Sequence, residues 1–221
     1  MFSNLFRQRT GQTPPMLITD TDDRLRQGAL WREPPIQHTG NPPRPGNAVF
    51  FAVQPNADIV QCLGRLAWSL LGKHKLRGRP RPDRCFHVTL HGIGNYAELP
   101  RDAVAAIDDA ASAIATPSFL VAFDRVRNFG GGRNRALVLV GDQGVAGLRM
   151  FQHELVTALQ KIGFARRKEP TCEPHITLLH YEGGIADQAV EETRWTVREF
   201  VLVRSLHGQS RHLSLARWPL R

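Results

Sequence analysis

Two short stretches carry side chains whose types and spacing suit proton-transfer chemistry. "FHVTL" at 86–90 sets His87 two residues before Thr89, and "PHITLLHY" at 174–181 repeats the arrangement with His175 and Thr177. In a strand, residues i and i+2 share a face. Each histidine therefore points with its threonine, while Val88, Leu90, Ile176 and Leu178 point into the core. Two imidazoles across a cleft supply one neutral base and one charged acid near pH 7, which no other pair of side chains does without large pKa shifts. Two threonine hydroxyls can donate to the non-bridging oxygens of a phosphate between them. This is equipment for in-line attack on a phosphodiester by proton transfer alone, with no metal or cofactor required. Each transfer is worth roughly 10² to 10⁴ in rate. A single His-x-Thr-Leu is more often an ordinary strand segment; two copies in equivalent places are a much stronger signal.

The elements around the motifs read clearly from Asn47 onward. "AVFFAV" (48–53) is a buried strand, and "NADIVQCLGRLAWSLLGK" (56–73) is an amphipathic helix with Asn56 as its cap. A basic loop, "KHKLRGRPRPDR", leads to the His87 strand. A helix over 100–115, a strand over 118–129, a glycine turn at 130–132 and a strand over 136–141 follow. Gly130 to Gly132 form no phosphate loop, since no helix starts directly after them. A helix over 144–163 ends at Gly163 before the basic "ARRK" and the His175 strand. Strands over 195–205 and 211–218 close the chain. Strand, helix, basic loop and His-x-Thr strand thus occur twice. Ala48 to His87 and Ala136 to His175 both span 39 residues. Two copies of one unit pack about a pseudo-twofold axis, which would face the two histidine strands across a groove.

Residues 1–46 differ from the rest. They hold seven of the fifteen prolines and no sustained apolar period, which predicts an extended or disordered arm before a domain over 47–221. The opening "MFSNLFRQR" is acid-free, but Asp20, Asp22 and Asp23 argue against a longer transit peptide. Net charge is +9 with a pI near 10.4, and the arm contributes only +2. Such a field favours anionic partners, nucleic acid or phosphorylated small molecules. No apolar run approaches the ~18 residues of a membrane span. Three cysteines with no CxxC predict a reduced, cytoplasmic setting.

The paired HVTL and HITL, each after a strand and a helix, resemble the 2H phosphoesterase superfamily. Within it the chain is most similar to the RNA 2′,3′-cyclic phosphodiesterase, or 2′-5′ RNA ligase, family, over about residues 47–221, including "AVFFAV", "PHITLL" and "LSLARWPL". The resemblance implies a bilobal α+β fold, two pseudo-symmetric antiparallel sheets with outer helices and a central groove. It implies hydrolysis of 2′,3′-cyclic phosphate ends of RNA or nucleotides to 2′-phosphates, without cofactor, by a protein expected to be a monomer. His87 would protonate the leaving oxygen, His175 would activate water, and Thr89 and Thr177 would hold the phosphate. The 2′-5′ ligase is the same chemistry in reverse. A non-catalytic RNA-binding module is the reading from another class, and the matched acid and base argue against it.

The chain departs from the family in two places. Members often carry an arginine five residues after the second motif histidine, where this chain has His180, and strict alternation would turn His180 away from the groove unless a bulge intervened. Where members often read Phe-Leu-Gly after the first motif, this chain has Gly92-Ile93-Gly94. His91 and Tyr181 share parity with their motif histidines, and together with His180 they are candidate groove-lining residues. Cys85 and Cys172 near the histidines raise a zinc site, but their spacing is not a finger pattern, and no metal is expected. "RGRPRPDR" (77–84) and "RNR" (133–135) either contact an RNA backbone or are only solvated.

Overall fold

The structure is a computed structural model that describes residues 47–130, 135–165, 172–206 and 208–221. The expected arm, Gly131 and Gly132 of the turn, Arg133 and Asn134 of "RNR", and Arg166 to Lys168 lie outside those residues. β1 (Asn47–Val53) alternates its faces: Val49, Phe51 and Val53 enter the main core, while Phe50 and Ala52 meet Val201 and Val203 on the other side. α1 (Ala57–Lys73) starts where the Asn56 side-chain oxygen accepts the Ile59 N–H at 3.0 Å, and it buries Leu63, Ala67 and Leu70. After β2 (Arg77–Pro80) and a 3₁₀ turn, β3 (Val88–Tyr96) and α2 (Arg101–Ser112) complete the first unit. β4 (Phe119–Phe129), β5 (Arg135–Val140), α3 (Ala146–Lys161) and β6 (His175–Glu182) form the second. β7 (Gln188–Val197), β8 (Glu199–Leu206) and β9 (Arg211–Pro219) end the chain.

The strands run in the order β7-β4-β5-β6-β3-β1-β8-β9, all antiparallel, with β2 added beside the end of β6. This is the expected α+β architecture of two similar halves, β3-β1-β8-β9 and β6-β5-β4-β7. They meet at one residue pair, Val88 opposite Ile176. The helices interlock the halves: α1 packs on β2, β6 and β7, while α3 packs on β3, β4 and α2. One core therefore draws on both, with Phe51, Phe200 and Trp218 in mutual ring contact and Phe151 edge-on to Phe200. Among the described residues no helix is long and apolar enough to cross a membrane.

Two expectations about elements need correction. The loop over 73–84 contains β2, which has no apolar alternation and forms because its backbone pairs with β6, Gly78 opposite Tyr181. The single strand over 195–205 is two strands, β7 and β8, broken at Arg198. The polar first half of β7 hid it, because only one face of this edge strand is buried.

One buried carboxylate ties α2 to β9. The Trp218 indole N–H donates to Asp108 at 2.9 Å. Burial raises the Asp108 carboxyl above its ordinary range and Asp109 pushes the same way, against the opposing hydrogen bonds from Trp218 and Ser112. A folded pKa raised above the unfolded one means stability is lost as pH rises through it. Asp108→Asn keeps the acceptor without the charge, so at pH 7 it should melt at or above wild type. Asp108→Leu strands the indole N–H and should cost about 1–3 kcal/mol. Thermal melts of the three proteins at pH 7 and at acid pH check this; an Asn variant melting well below wild type at pH 7 would contradict it.

Candidate active site

The Val88–Ile176 pair sets the geometry of the motifs. Continued in antiparallel register, this pair would set His87 opposite Thr177 and Thr89 opposite His175. Val88 and Ile176 are fully buried while the four flanking side chains are only partly so. All four therefore emerge on the face opposite the core. Regular pairing would set the two histidines on a diagonal of roughly 7–8 Å, which leaves room for a phosphate between them.

Each histidine strand then carries a bulge at the same place. On β3, Ala52 faces Thr89 and Phe51 faces His91, so Leu90 is the extra residue. On β6, Val138 faces Thr177 and Leu137 faces Leu179, so Leu178 is extra. A bulge reverses parity beyond it. His91 and Tyr181 were expected to line the groove, and the reversal turns both inward instead. His91 is buried with Nε2 at 3.1 Å from the Phe164 carbonyl. Tyr181 is buried with its hydroxyl bonded to Asn128 and accepting the Ile185 N–H at 3.2 Å. The same reversal brings His180, opposite Ala136, onto the face of Thr177 and His175.

The motif histidines are held alike. His87 Nδ1 lies 2.7 Å from the Cys85 carbonyl and His175 Nδ1 lies 2.8 Å from the Glu173 carbonyl. A carbonyl only accepts, so Nδ1 keeps its proton in both charge states and Nε2 is the atom that gains and loses one. Phe50 packs on His87 with ring centroids 5.0 Å apart, and Phe129 on His175 at 4.8 Å. Two imidazoles with fixed tautomers, two hydroxyls and one shared face form the arrangement that the two motifs suggested.

The comparisons place the chain in a family and match its fold. The family model described as 2′-5′ RNA ligase superfamily matches residues 65–209, more than half of the chain. The chain belongs to that superfamily. Its fold is similar to that of E. coli LigT in its apo form, at 24% identity, TM-score 0.65, and 79% of this chain and 97% of LigT covered. LigT complexed with 3′-AMP gives 24% identity, TM-score 0.63, and 79% and 98% coverage. TT0787 of Thermus thermophilus gives 19% identity, TM-score 0.61, and 79% and 98% coverage. No curated protein matches the chain by sequence.

Two residues of this groove, His212 and Gln152, escaped the sequence reading, and a third, Arg81, was visible only as part of the basic segment 77–84. Arg81 extends the β2 ladder, its N–H on the Leu178 carbonyl at 2.8 Å, and its charge is felt by His87, His180 and His212. Its Nε is buried without a hydrogen-bond partner among the described residues. His212 of β9 packs edge-on against His87 at 5.0 Å. Gln152 is a polar residue on the buried stripe of α3, and that misfit was its one visible signal. Its amide lies 3.2 Å from the Thr89 carbonyl, 3.4 Å from that of Leu90 and 3.3 Å from that of Cys172, joining the first motif to the approach of the second. The cysteines do not assemble with the histidines. Cys85 is buried on the Ser210 carbonyl and Cys172 is exposed, and no cluster of three metal-binding side chains occurs among the described residues.

Burial pushes the His87 imidazole down to about 4, and the charges of His212, Arg81 and His175 add to this against the Cys85 carbonyl. Burial and Arg81 also lower His180 and His212. In the free protein His87 is neutral at pH 7, and a bound anion should raise its pKa. Histidine NMR titration should place the His87 midpoint near 4, moving up on addition of inorganic phosphate; a midpoint near 6.5 in the free protein would refute the role of burial. Gln152→Met keeps the volume but frees the three carbonyls. It should cost about 1–3 kcal/mol in denaturant unfolding and lower kcat more than it raises KM; an unchanged kcat would limit Gln152 to packing.

Proposed function

We propose that this chain hydrolyses 2′,3′-cyclic phosphate ends of RNA or nucleotides to 2′-phosphates by two-histidine acid–base catalysis. The observation that carries the reading is the antiparallel register that sets His87 beside Thr177 and Thr89 beside His175 on one face. The phosphate sits between the pairs, with Thr89 and Thr177 donating to its non-bridging oxygens and Arg81 opposing its charge. His175 Nε2 takes a proton from water as the water oxygen attacks phosphorus. The bond from phosphorus to the 3′-oxygen breaks, and His87 Nε2–H delivers the proton to that oxygen. Superfamily membership supports a phosphoester site, and LigT, crystallised with 3′-AMP and with phosphate, supports a groove of this shape receiving such groups. Both proton transfers come from this chain's own side chains, so turnover should survive excess chelator.

The bound phosphate must raise His87 from its low value for it to serve as acid, so protonation and binding are coupled. The rate should rise and fall with pH, with apparent pKa values that belong to the pair. His87→Ala and His175→Ala should each remove most turnover of a cyclic-phosphate oligonucleotide, and the double variant should be scarcely worse, because either loss breaks the relay. Thr89→Val or Thr177→Val should cost about 1.5–3 kcal/mol in transition-state stabilisation. The measurement is release of 2′-phosphate ends by all six proteins, with circular dichroism as the folding control. Near-wild-type turnover by a folded His175→Ala protein would end the two-histidine assignment.

A further inference from the structure

We propose that β2 is a track for the backbone phosphates of an RNA strand 5′ to the cyclic end, an inference that rests on the phosphodiesterase reading above. Arg77, Arg79 and Arg81 alternate with Gly78 and Pro80, so strand periodicity points the three guanidinium groups to one side. That side is the groove. Arg79 stands opposite His180, and His180 stands opposite Ala136 on the face shared with Thr177 and His175. Gly78 fixes the row. A Cβ there would come 2.4 Å from the His180 carbonyl oxygen and 2.8 Å from the Tyr181 Cβ, so β2 lies closer on β6 than any side chain would allow. Alternate residues of a strand are about 6.6–6.8 Å apart, a separation comparable to that of neighbouring phosphates in an extended single strand.

The charges of the row are available. Arg127, Arg194 and Arg217 are paired with carboxylates, whereas Arg77, Arg79 and Arg81 have no ion pair among the described residues. Arg77 and Arg79 are exposed, and Glu182 opposite Arg77 makes the outermost position the weakest. The segment 77–84 has no aromatic side chain, so it suits the backbone rather than the bases, and binding should be indifferent to sequence.

The direction of the row fits the chemistry. β2 flanks β6 beyond Thr177, which is the corner of the groove that holds His87. The acid must reach the ribose oxygen that leaves, so the ribose and the chain attached to it lie on the His87 side. The RNA body therefore leaves the groove along β2, with Arg81 at the reacting phosphate and Arg79 and Arg77 at the phosphates before it.

The test compares wild type with Arg77→Gln/Arg79→Gln on a cyclic-phosphate-ended tetranucleotide and a 2′,3′-cyclic mononucleotide over a series of salt concentrations. Wild type should prefer the tetranucleotide in kcat/KM through a lower KM. The double variant should lose about tenfold of that preference, in KM rather than kcat. Its log–log salt slope should flatten by about 1.4, at about 0.7 for each single-strand phosphate contact. A folded double variant with the wild-type KM and slope overturns the track. If wild type turns over neither substrate, the phosphodiesterase reading has failed on its own. Binding of a fluorescent tetranucleotide ending in a 3′-phosphate then decides the track by the same loss of affinity and slope, or by their persistence.

Discussion

The site depends on one register. Two antiparallel halves, each with its own histidine strand, touch through the Val88–Ile176 pair, and that pair alone decides which polar side chain meets which across the groove. A strand slipped by one residue exchanges its two faces. A slip here would drive His87 and Thr89 into the core and leave Val88 and Leu90 in solvent. Burial of Val88, Leu90, Ile176 and Leu178 therefore does more than stabilise the domain: it disfavours every odd slip, which would turn the site into the core. The crossed packing of α1 and α3 on strands of the other half and the Gln152 amide on Thr89, Leu90 and Cys172 hold the same contact from behind.

The sequence shows most of this arrangement because it is local and repeated. The alternation of Phe86, Val88 and Leu90 and the equal 39-residue intervals reveal the strands, the helices and the facing of the histidines. The bulges at Leu90 and Leu178 are not legible, because an apolar residue fits either side of a buried strand and leaves no trace when parity reverses. His91, His180 and Tyr181 all lie beyond those bulges, and simple alternation assigns each of them the wrong face. Arg81 and His212 are hidden for another reason. They reach the groove through pairings of β2 with β6 and of β9 with β8, across long stretches of chain, so the basic segment around Arg81 is visible but not its place at the groove, and nothing near His212 marks it.

The groove gathers cations and potential cations around one point: Arg81, His87, His180, His212 and His175. Burial first, and the neighbouring charges after it, hold the His87, His180 and His212 imidazoles below their ordinary range in the free protein, His87 most of all. Each unit of pKa depression is about 1.4 kcal/mol set against the charged form. A phosphate anion placed at that point would oppose the local positive field, so in the proposed mechanism the charge of the substrate would also favour the charged form of the acid. In the proposed mechanism the acid would then be present chiefly when there is a leaving oxygen to protonate, and at pH 7 the free protein holds no His87 imidazolium beside the Arg81 guanidinium. His175 sits at the opposite corner, away from Arg81 along the strand, and in the proposed mechanism it is the base. The two motifs are alike in sequence, but Arg81 and His212 stand beside His87, so a bound anion would act unequally on the two imidazoles, as the proposed division into acid and base requires.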